Sequence, residues 1–345
     1  MCAEWYKSTV RLSSERKGDG VSSIRYYRRL LQVFSNYKRK KTVLPYLPVR
    51  LWVETTSICN LRCVMCPNKD LKKEEKGFMD PALFRKIIDE ARGFIFDANL
   101  IHRGEGLLHP DFPSLAEYAH AAGIRTKFHT NATLLDEDMS RRLIGAGLDQ
   151  ISFSFDGYDK KTYESIRINA DFDKTLRNIV RFLEVKKEMR SRKPYAVFEL
   201  INFPDLYKDE GGRRRQEFLK KFRGLPLDRL EVKEMHNWAG ELGQARPKKK
   251  YVPCTFLWQA LVIFWDGSVL PCTQDFHGYY TLGNVQEETL TRIWNNEKMV
   301  RLREKVLRRD IANLETCSQC DRLWRDQLLG VPKEFLWKFL FRRMP

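Results

Sequence analysis

The stretch Glu54-Thr55-Thr56-Ser57-Ile58-Cys59-Asn60-Leu61-Arg62-Cys63-Val64-Met65-Cys66-Pro67 decides the fold. Its cysteines follow the spacing Cys59-x3-Cys63-x2-Cys66. A structural zinc ion wants four protein ligands in a closed tetrahedron. Here only three thiols stand together, and no histidine follows at knuckle spacing. Three thiolates can instead hold a 4Fe–4S cluster and leave one iron open to a small molecule. Zinc with a distant fourth ligand is the alternative that the triplet alone leaves standing.

Outward from this loop the chain alternates strands and helices. Arg50 to Glu54 alternates as a short strand that ends at the cysteine loop. Asp80 and Pro81 form an N-cap and first-turn pair. Leu83, Phe84, Ile87, Ile88 and Ala91 recur at helical period behind them. Phe94 to Ile101 reads as the next strand. Strand Arg125 to His129 precedes helix Asp136 to Ala146, and strand Gln150 to Phe155 precedes helix Asp173 to Met189. Strands Ala196 to Ile201 and Arg229 to Glu234 flank helix Arg213 to Phe222. Such alternation predicts βα units on a parallel sheet. Six units are too few for a closed eight-fold barrel. Parallel barrels carry chemistry at the carboxyl ends of their strands, and the cysteine loop falls there.

The triplet, set directly after a strand, resembles the signature of the radical S-adenosylmethionine (radical SAM) enzymes. The resemblance implies an α/β fold, a partial (β/α)6 barrel over residues 49–245. It implies a 4Fe–4S cluster on Cys59, Cys63 and Cys66 whose open iron chelates S-adenosylmethionine. Reductive cleavage would then give a 5′-deoxyadenosyl radical that abstracts a substrate hydrogen atom. Met65 stands where the family places a hydrophobic residue by the adenine. His102-Arg103-Gly104-Glu105-Gly106 stands where the family usually has Gly-Gly-Glu-Pro. Gly104 and Glu105 remain to hold the SAM amino group, with Arg103 in place of the first glycine and Gly106 in place of the proline. Thr130-Asn131-Ala132-Thr133 is similar to the family's Thr-Asn-Gly-Thr, with Asn131 kept and Ala132 a departure. Ser154, in Ser152-Phe153-Ser154-Phe155-Asp156-Gly157, would lie near the ribose. Arg167 would pair with the SAM carboxylate, or else form a surface ion pair.

Four further cysteines follow the basic stretch Arg246-Pro247-Lys248-Lys249-Lys250. An apolar run from Leu257 to Trp265 meets Asp266-Gly267, a hairpin signal, and returns to Cys272. The hairpin brings Cys254 and Cys272 to one end. A helix over Leu290 to Lys305 leads to Cys317-Ser318-Gln319-Cys320. Four thiolates suit zinc or a fully ligated 4Fe–4S cluster equally. Cys254, Cys272, Cys317 and Cys320 are similar to the auxiliary-cluster extensions called SPASM and twitch domains. That resemblance implies a small domain of β-hairpin plus helix over residues 246–330 and a single auxiliary 4Fe–4S cluster. Such a cluster has no free iron, so electron transfer is its expected role. The expected reaction is a two-electron oxidation of a small polar metabolite, an anionic or carrier-linked molecule, with a flavodoxin- or ferredoxin-type reductant. An epimerase or a peptide-modifying maturase is the alternative. Radical epimerases often use a cysteine as hydrogen donor, and only Cys2 is left over. His236, in His236-Asn237-Trp238 after the sixth strand, is the candidate proton acceptor.

The chain has 345 residues, of which 43% are hydrophobic. That excludes global disorder and allows one large domain with a smaller one. No apolar run is long enough for a membrane span, because Gln259 interrupts Phe256 to Trp265. Met1 to Trp5 shows no secretory pattern, so a cytoplasmic, reducing setting is expected, where tight cysteine spacing reads as metal or redox chemistry. Lys and Arg number 62 against 45 Asp and Glu, a net +17, which favours anionic partners. No nucleic-acid-binding motif accompanies the charge. Ser22 to Tyr37, in the extension 1–48, reads as a basic amphipathic helix, and Phe335 to Arg343, in the tail 331–345, is similar. Both suit either packing on the barrel or peripheral contact with an anionic membrane.

Overall fold

The computed structural model describes residues 10–11, 23–203, 213–243 and 249–340. Its helices and strands run α1 Ser23–Lys38, β1 Arg50–Val53, α2 Pro81–Ala91, β2 Asp97–Asn99, α3 Phe112–Ala121, β3 Arg125–Thr130, α4 Glu137–Gly145, β4 Gln150–Ser154, α5 Lys160–Ile166, α6 Phe172–Glu188, β5 Tyr195–Asn202, α7 Arg213–Lys220 and β6 Arg229–Glu234. Then follow β7 Ala260–Ile263, β8 Ser268–Leu270, β9 Gly283–Asn284, α8 Leu290–Trp294, α9 Glu297–Arg308, α10 Glu315–Ser318, β10 Gln327–Leu328, β11 Val331–Pro332 and α11 Lys333–Leu340. The chain falls into two compact units. The first comprises Met1–Gly18, Glu54–Arg85 and Ala98–Met235, and the second Asp19–Val53, Lys86–Asp97 and His236–Pro345, each over its described residues.

In the first unit β3, β4, β5 and β6 pair in parallel in that order. Side chains alternate across a strand, so the sheet acquires two unlike faces. On one face Phe128 meets Phe112 of α3 with ring centroids 4.2 Å apart, and Phe153 meets Phe182 of α6 at 5.4 Å. Phe198 joins Phe218 of α7 and Phe155 there. Neighbours in sequence to these aromatics, His129, Ser154 and Glu199, take the other face. Helix entry is capped by aspartates: Asp136 accepts from Met139 N at 2.8 Å, and Asp171, ahead of the expected start at Asp173, accepts from Lys174 N at 2.7 Å, each cap contributing about 1 kcal/mol.

In the second unit β1 pairs in parallel with β7, and β7, β8 and β9 continue antiparallel. The expected hairpin is present, with Gly267 at φ +86 where a Cβ would strike Asn284. The expected single helix from Leu290 to Lys305 is two helices. Asn296 stops the first and caps the second, accepting from Met299 N at 3.0 Å. Arg303 binds the end of the first of these helices. Fully buried, it donates to the carbonyls of Leu257, Thr42 and Trp294 and to Asn295 Oδ1, all at 2.8 to 3.1 Å. The strand expected at Phe94 to Ile101 is shorter, because the Phe94 and Ile95 amides still bond to Ala91 at the end of α2. Among the described residues no helix is long and apolar enough to cross a membrane.

Arg103 takes a role that its place in the glycine motif does not announce. Its guanidinium grips Glu54 through Nε–Oε2 at 2.7 Å and Nη2–Oε1 at 2.8 Å, and its amide adds a bond at 3.2 Å. Burial alone would raise the Glu54 carboxyl, but Arg103 and then His102 hold it down to about 2. A depressed carboxyl contributes stability above its unfolded value near 4.5 and loses it as pH falls through 2, an effect of roughly 3 kcal/mol. Glu54→Gln is therefore expected to cost about 3–5 kcal/mol at neutral pH by stranding Arg103. Denaturant unfolding of both proteins along a pH series checks this: the wild-type advantage should shrink below pH 4.5, and a pH-independent gap would contradict it.

Candidate active site

Within the first unit the cysteine loop is held by the exposed Asn60, bonded to the buried Asn131 and Thr133, and by the buried Asn68. Asn60 Nδ2 donates to Thr133 Oγ1 at 2.8 Å, and Asn131 Nδ2 donates back to Asn60 Oδ1 at 2.9 Å. Thr133 Oγ1 donates to Asn131 Oδ1 at 2.7 Å and closes the ring. Asn68, just past Cys66, donates to the carbonyls of Ser57 and Arg103 at 2.7 and 2.8 Å. The Glu105 amide donates to Ile58 O at 2.8 Å. The two loops come so close at Gly104 that a Cβ there would sit 2.3 Å from Thr56 O and 2.6 Å from Ile58 O. Only glycine fits. Ala132, where the related motif has glycine, takes the left-handed φ of +59, and Asn178 of α6 holds its carbonyl at 2.9 Å.

The three thiols neighbour one another electrostatically. Burial pushes Cys59 up to about 12 and Cys66 up to about 11, and raises Cys63 as well. Arg167 is buried, not at the surface. Its Nη2 donates to Asp156 at 2.6 Å and its Nη1 stands 3.9 Å from Cys63 Sγ, while Nε is buried without a partner. Asp156 is itself pinned by the Ile201 amide at 2.6 Å. Glu105 accepts from Asn131 N at 2.7 Å, Thr130 Oγ1 at 2.8 Å and Leu107 N at 3.2 Å. Met65 is buried in the loop, and Ser154 ends β4 half-exposed. Cys63 is buried and Cys59 and Cys66 are half-buried; three thiols beside a cation, a glycine-only approach and an unpaired guanidinium nitrogen fit an iron–sulfur cluster with an anionic ligand.

A further group on the polar sheet face escaped the sequence reading. His129 Nδ1 lies 3.1 Å from Glu199 Oε2, and Lys233 Nζ lies 2.8 Å from Glu199 Oε1. Burial would raise the Glu199 carboxyl, but His129 and Lys233 together hold it well below the usual carboxylate range. When the imidazole is neutral with its proton on Nδ1, Glu199 accepts from Nδ1–H and Nε2 is the acceptor nitrogen. The His129 side chain is 29% exposed. No motif links these residues; only the register of β3 to β6 does.

In the second unit Cys254, Cys272, Cys317 and Cys320 line one cavity of about 150 Å³. Burial raises all four thiols, Cys320 to about 12 and Cys272 well above its ordinary value. Four thiols lining one cavity, Cys272 and Cys320 buried and Cys254 and Cys317 half-buried, fit a closed cluster, and Gln274 Oε1 there is buried without a partner. Arg322 lines the same cavity and donates to His236 Nε2 at 2.8 Å. His236 thus stands beside the four-thiol set with that nitrogen engaged. Asn237 is buried and tied to the same loop, donating to Gln319 O at 2.8 Å. Cys2 lies outside the described residues.

Comparison with known proteins matches the two stretches of chain that carry the cysteines. The model of the radical SAM superfamily matches residues 53–191, and that of an iron–sulfur cluster-binding domain, SPASM, matches 254–321. A tungsten-containing aldehyde ferredoxin oxidoreductase cofactor-modifying protein of Pyrococcus furiosus is 27% identical over 72% of this chain and 81% of its own. The S-adenosyl-L-methionine-dependent 2-deoxy-scyllo-inosamine dehydrogenase of Niallia circulans is 22% identical over 79% of this chain and 92% of its own. The crystal structure of BtrN in complex with AdoMet and 2-DOIA shares the fold, with a TM-score of 0.54 and 20% identity over 80% of this chain and 93% of that one. 4Fe–4S clusters and S-adenosylmethionine are accordingly the cofactors here. The chain belongs to the radical SAM superfamily and is a radical SAM enzyme with a C-terminal SPASM domain.

Proposed function

We propose that this enzyme removes two electrons from a small polar metabolite, for example turning an alcohol into a ketone. In this reading Cys59, Cys63 and Cys66 hold the SAM-binding cluster, and Cys254, Cys272, Cys317 and Cys320 hold the auxiliary one. Together with S-adenosylmethionine these groups supply a hydrogen-abstracting radical and an acceptor for one electron. The protein supplies the rest. Gly104 and Glu105 receive the SAM amino group, and the unpaired Nε of Arg167 receives its carboxylate. Asn131, Ser154 and Met65 complete that pocket.

The observation that carries this reading is the complete four-thiol set around one cavity. A cluster so ligated offers substrate no open iron, so its use is to move electrons. The balance then requires a base. A substrate C–H loses its hydrogen atom, the remaining radical loses one electron, and its hydroxyl proton goes to His129 Nε2. Glu199 holds the imidazole in the accepting tautomer, and Lys233 gives the same face a cation suited to an anionic substrate. His236 Nε2 is already engaged by Arg322, which favours His129 for the role. The relative named as a dehydrogenase spans most of this chain. Epimerisation would need a thiol to return a hydrogen atom, and all seven described cysteines belong to the two sets.

Two measurements test the reading. Replacing Cys317 and Cys320 by serine should lower bound iron from about eight to about four per chain, keep SAM cleavage and abolish oxidation. An oxidised product is two mass units lighter and free of solvent deuterium; unchanged mass with deuterium uptake would establish epimerisation instead. His129→Gln and Glu199→Gln should leave 5′-deoxyadenosine formation intact and slow product formation about 10²-fold or more. A product rate unaffected by His129→Gln would remove it from the reaction.

A further inference from the structure

Ile24, Leu31 and Lys38 recur every seven residues on α1 and so form one stripe. Ile24 is 74% and Leu31 53% exposed. Lys38 Nζ donates to the carbonyl of Leu329, which places the end of this stripe beside the tip of the β10–β11 hairpin. Leu328 pairs with Val331 across a two-residue turn. Leu329 and Gly330, the turn residues, both hold left-handed φ, +52 and +74. Such a turn is best served by Asn or Asp before Gly. Here the position carries a leucine 82% exposed, next to Leu328 at 56%. Neither leucine serves the turn or the core. Between Ser23 and Val43 the chain carries seven Lys and Arg and no acidic residue. Of these Arg25, Arg28, Lys38, Arg39, Lys40 and Lys41 are exposed.

We propose that this face docks on an anionic phospholipid bilayer, with Leu328 and Leu329 entering the acyl boundary and the cations of α1 and the segment after it meeting the headgroups. Exposed apolar tips and a cationic surround give additive binding to such a surface. A second copy of the chain would bring the same positive face and be repelled. The surface therefore fits a bilayer better than self-association.

Co-sedimentation of the holoenzyme with vesicles of roughly one-third anionic lipid at about 0.1 M salt tests the proposal. Wild type should pellet with these vesicles and not with neutral ones. Leu328→Ser with Leu329→Asn, the latter a substitution that suits the turn, should weaken binding about tenfold or more. Gln at 38–41 should weaken it comparably, whereas Gln at Arg213, Arg214 and Arg215 should leave it within about twofold. Iron content and SAM cleavage should stay at wild-type levels in every variant. Equal pelleting by the leucine variant, or an equal loss from the 213–215 variant, would overturn the proposal in favour of diffuse charge attraction. No vesicle binding together with self-association lost in the leucine variant would overturn it in favour of a second copy.

Discussion

The ring of hydrogen bonds among Asn60, Asn131 and Thr133 is the constraint on which the rest of the site depends. It ties the cysteine loop to the end of β3, and Asn68 ties the same loop to the carbonyl of Arg103. Each bond contributes only about 1 kcal/mol net. Asn131 and Thr133 are buried, and leaving their polar groups without partners there would cost more than each bond contributes. These bonds hold the backbone of the cysteine loop to the end of β3. Burial raises the thiols, and thiolate ligation of a cluster releases their protons.

The parallel sheet divides its labour by alternation. One face gives phenylalanines to the helices and supplies the core. The other gives His129, Ser154, Glu199 and Lys233 to the open side. Charges on that face are affordable because they satisfy one another: Glu199 is held ionised by two partners and in turn orients one of them. A lone buried carboxylate there would be neutral and would leave the imidazole tautomer unset.

Much of this was readable from residue order alone. The six strands, the two cysteine sets, the hairpin at Gly267 and the basic first helix all follow from period, spacing and turn chemistry. What escaped was every pairing made across long sequence separation. Arg103 replaces a motif glycine, and only its contact with Glu54, on the far side of the cysteine loop, explains it. Arg303 reaches Thr42 and Leu257, contacts that no local pattern announces. His129, Glu199 and Lys233 sit on three strands and carry no local signature, whereas His236 drew notice from its loop and was found bonded to Arg322. Local chemistry announces elements and ligands; partners brought together by register do not announce themselves.

The central claim is that Cys59, Cys63 and Cys66 hold a cluster with one iron open to S-adenosylmethionine. Anaerobically reconstituted protein, reduced with dithionite and supplied with S-adenosylmethionine, tests it through the methionine and 5′-deoxyadenosine released. Wild type should release both in equal amounts, and Cys63→Ala should release neither while keeping about four irons on the other set. Cleavage that survives Cys63→Ala, or that never occurs in the wild type, would contradict the account.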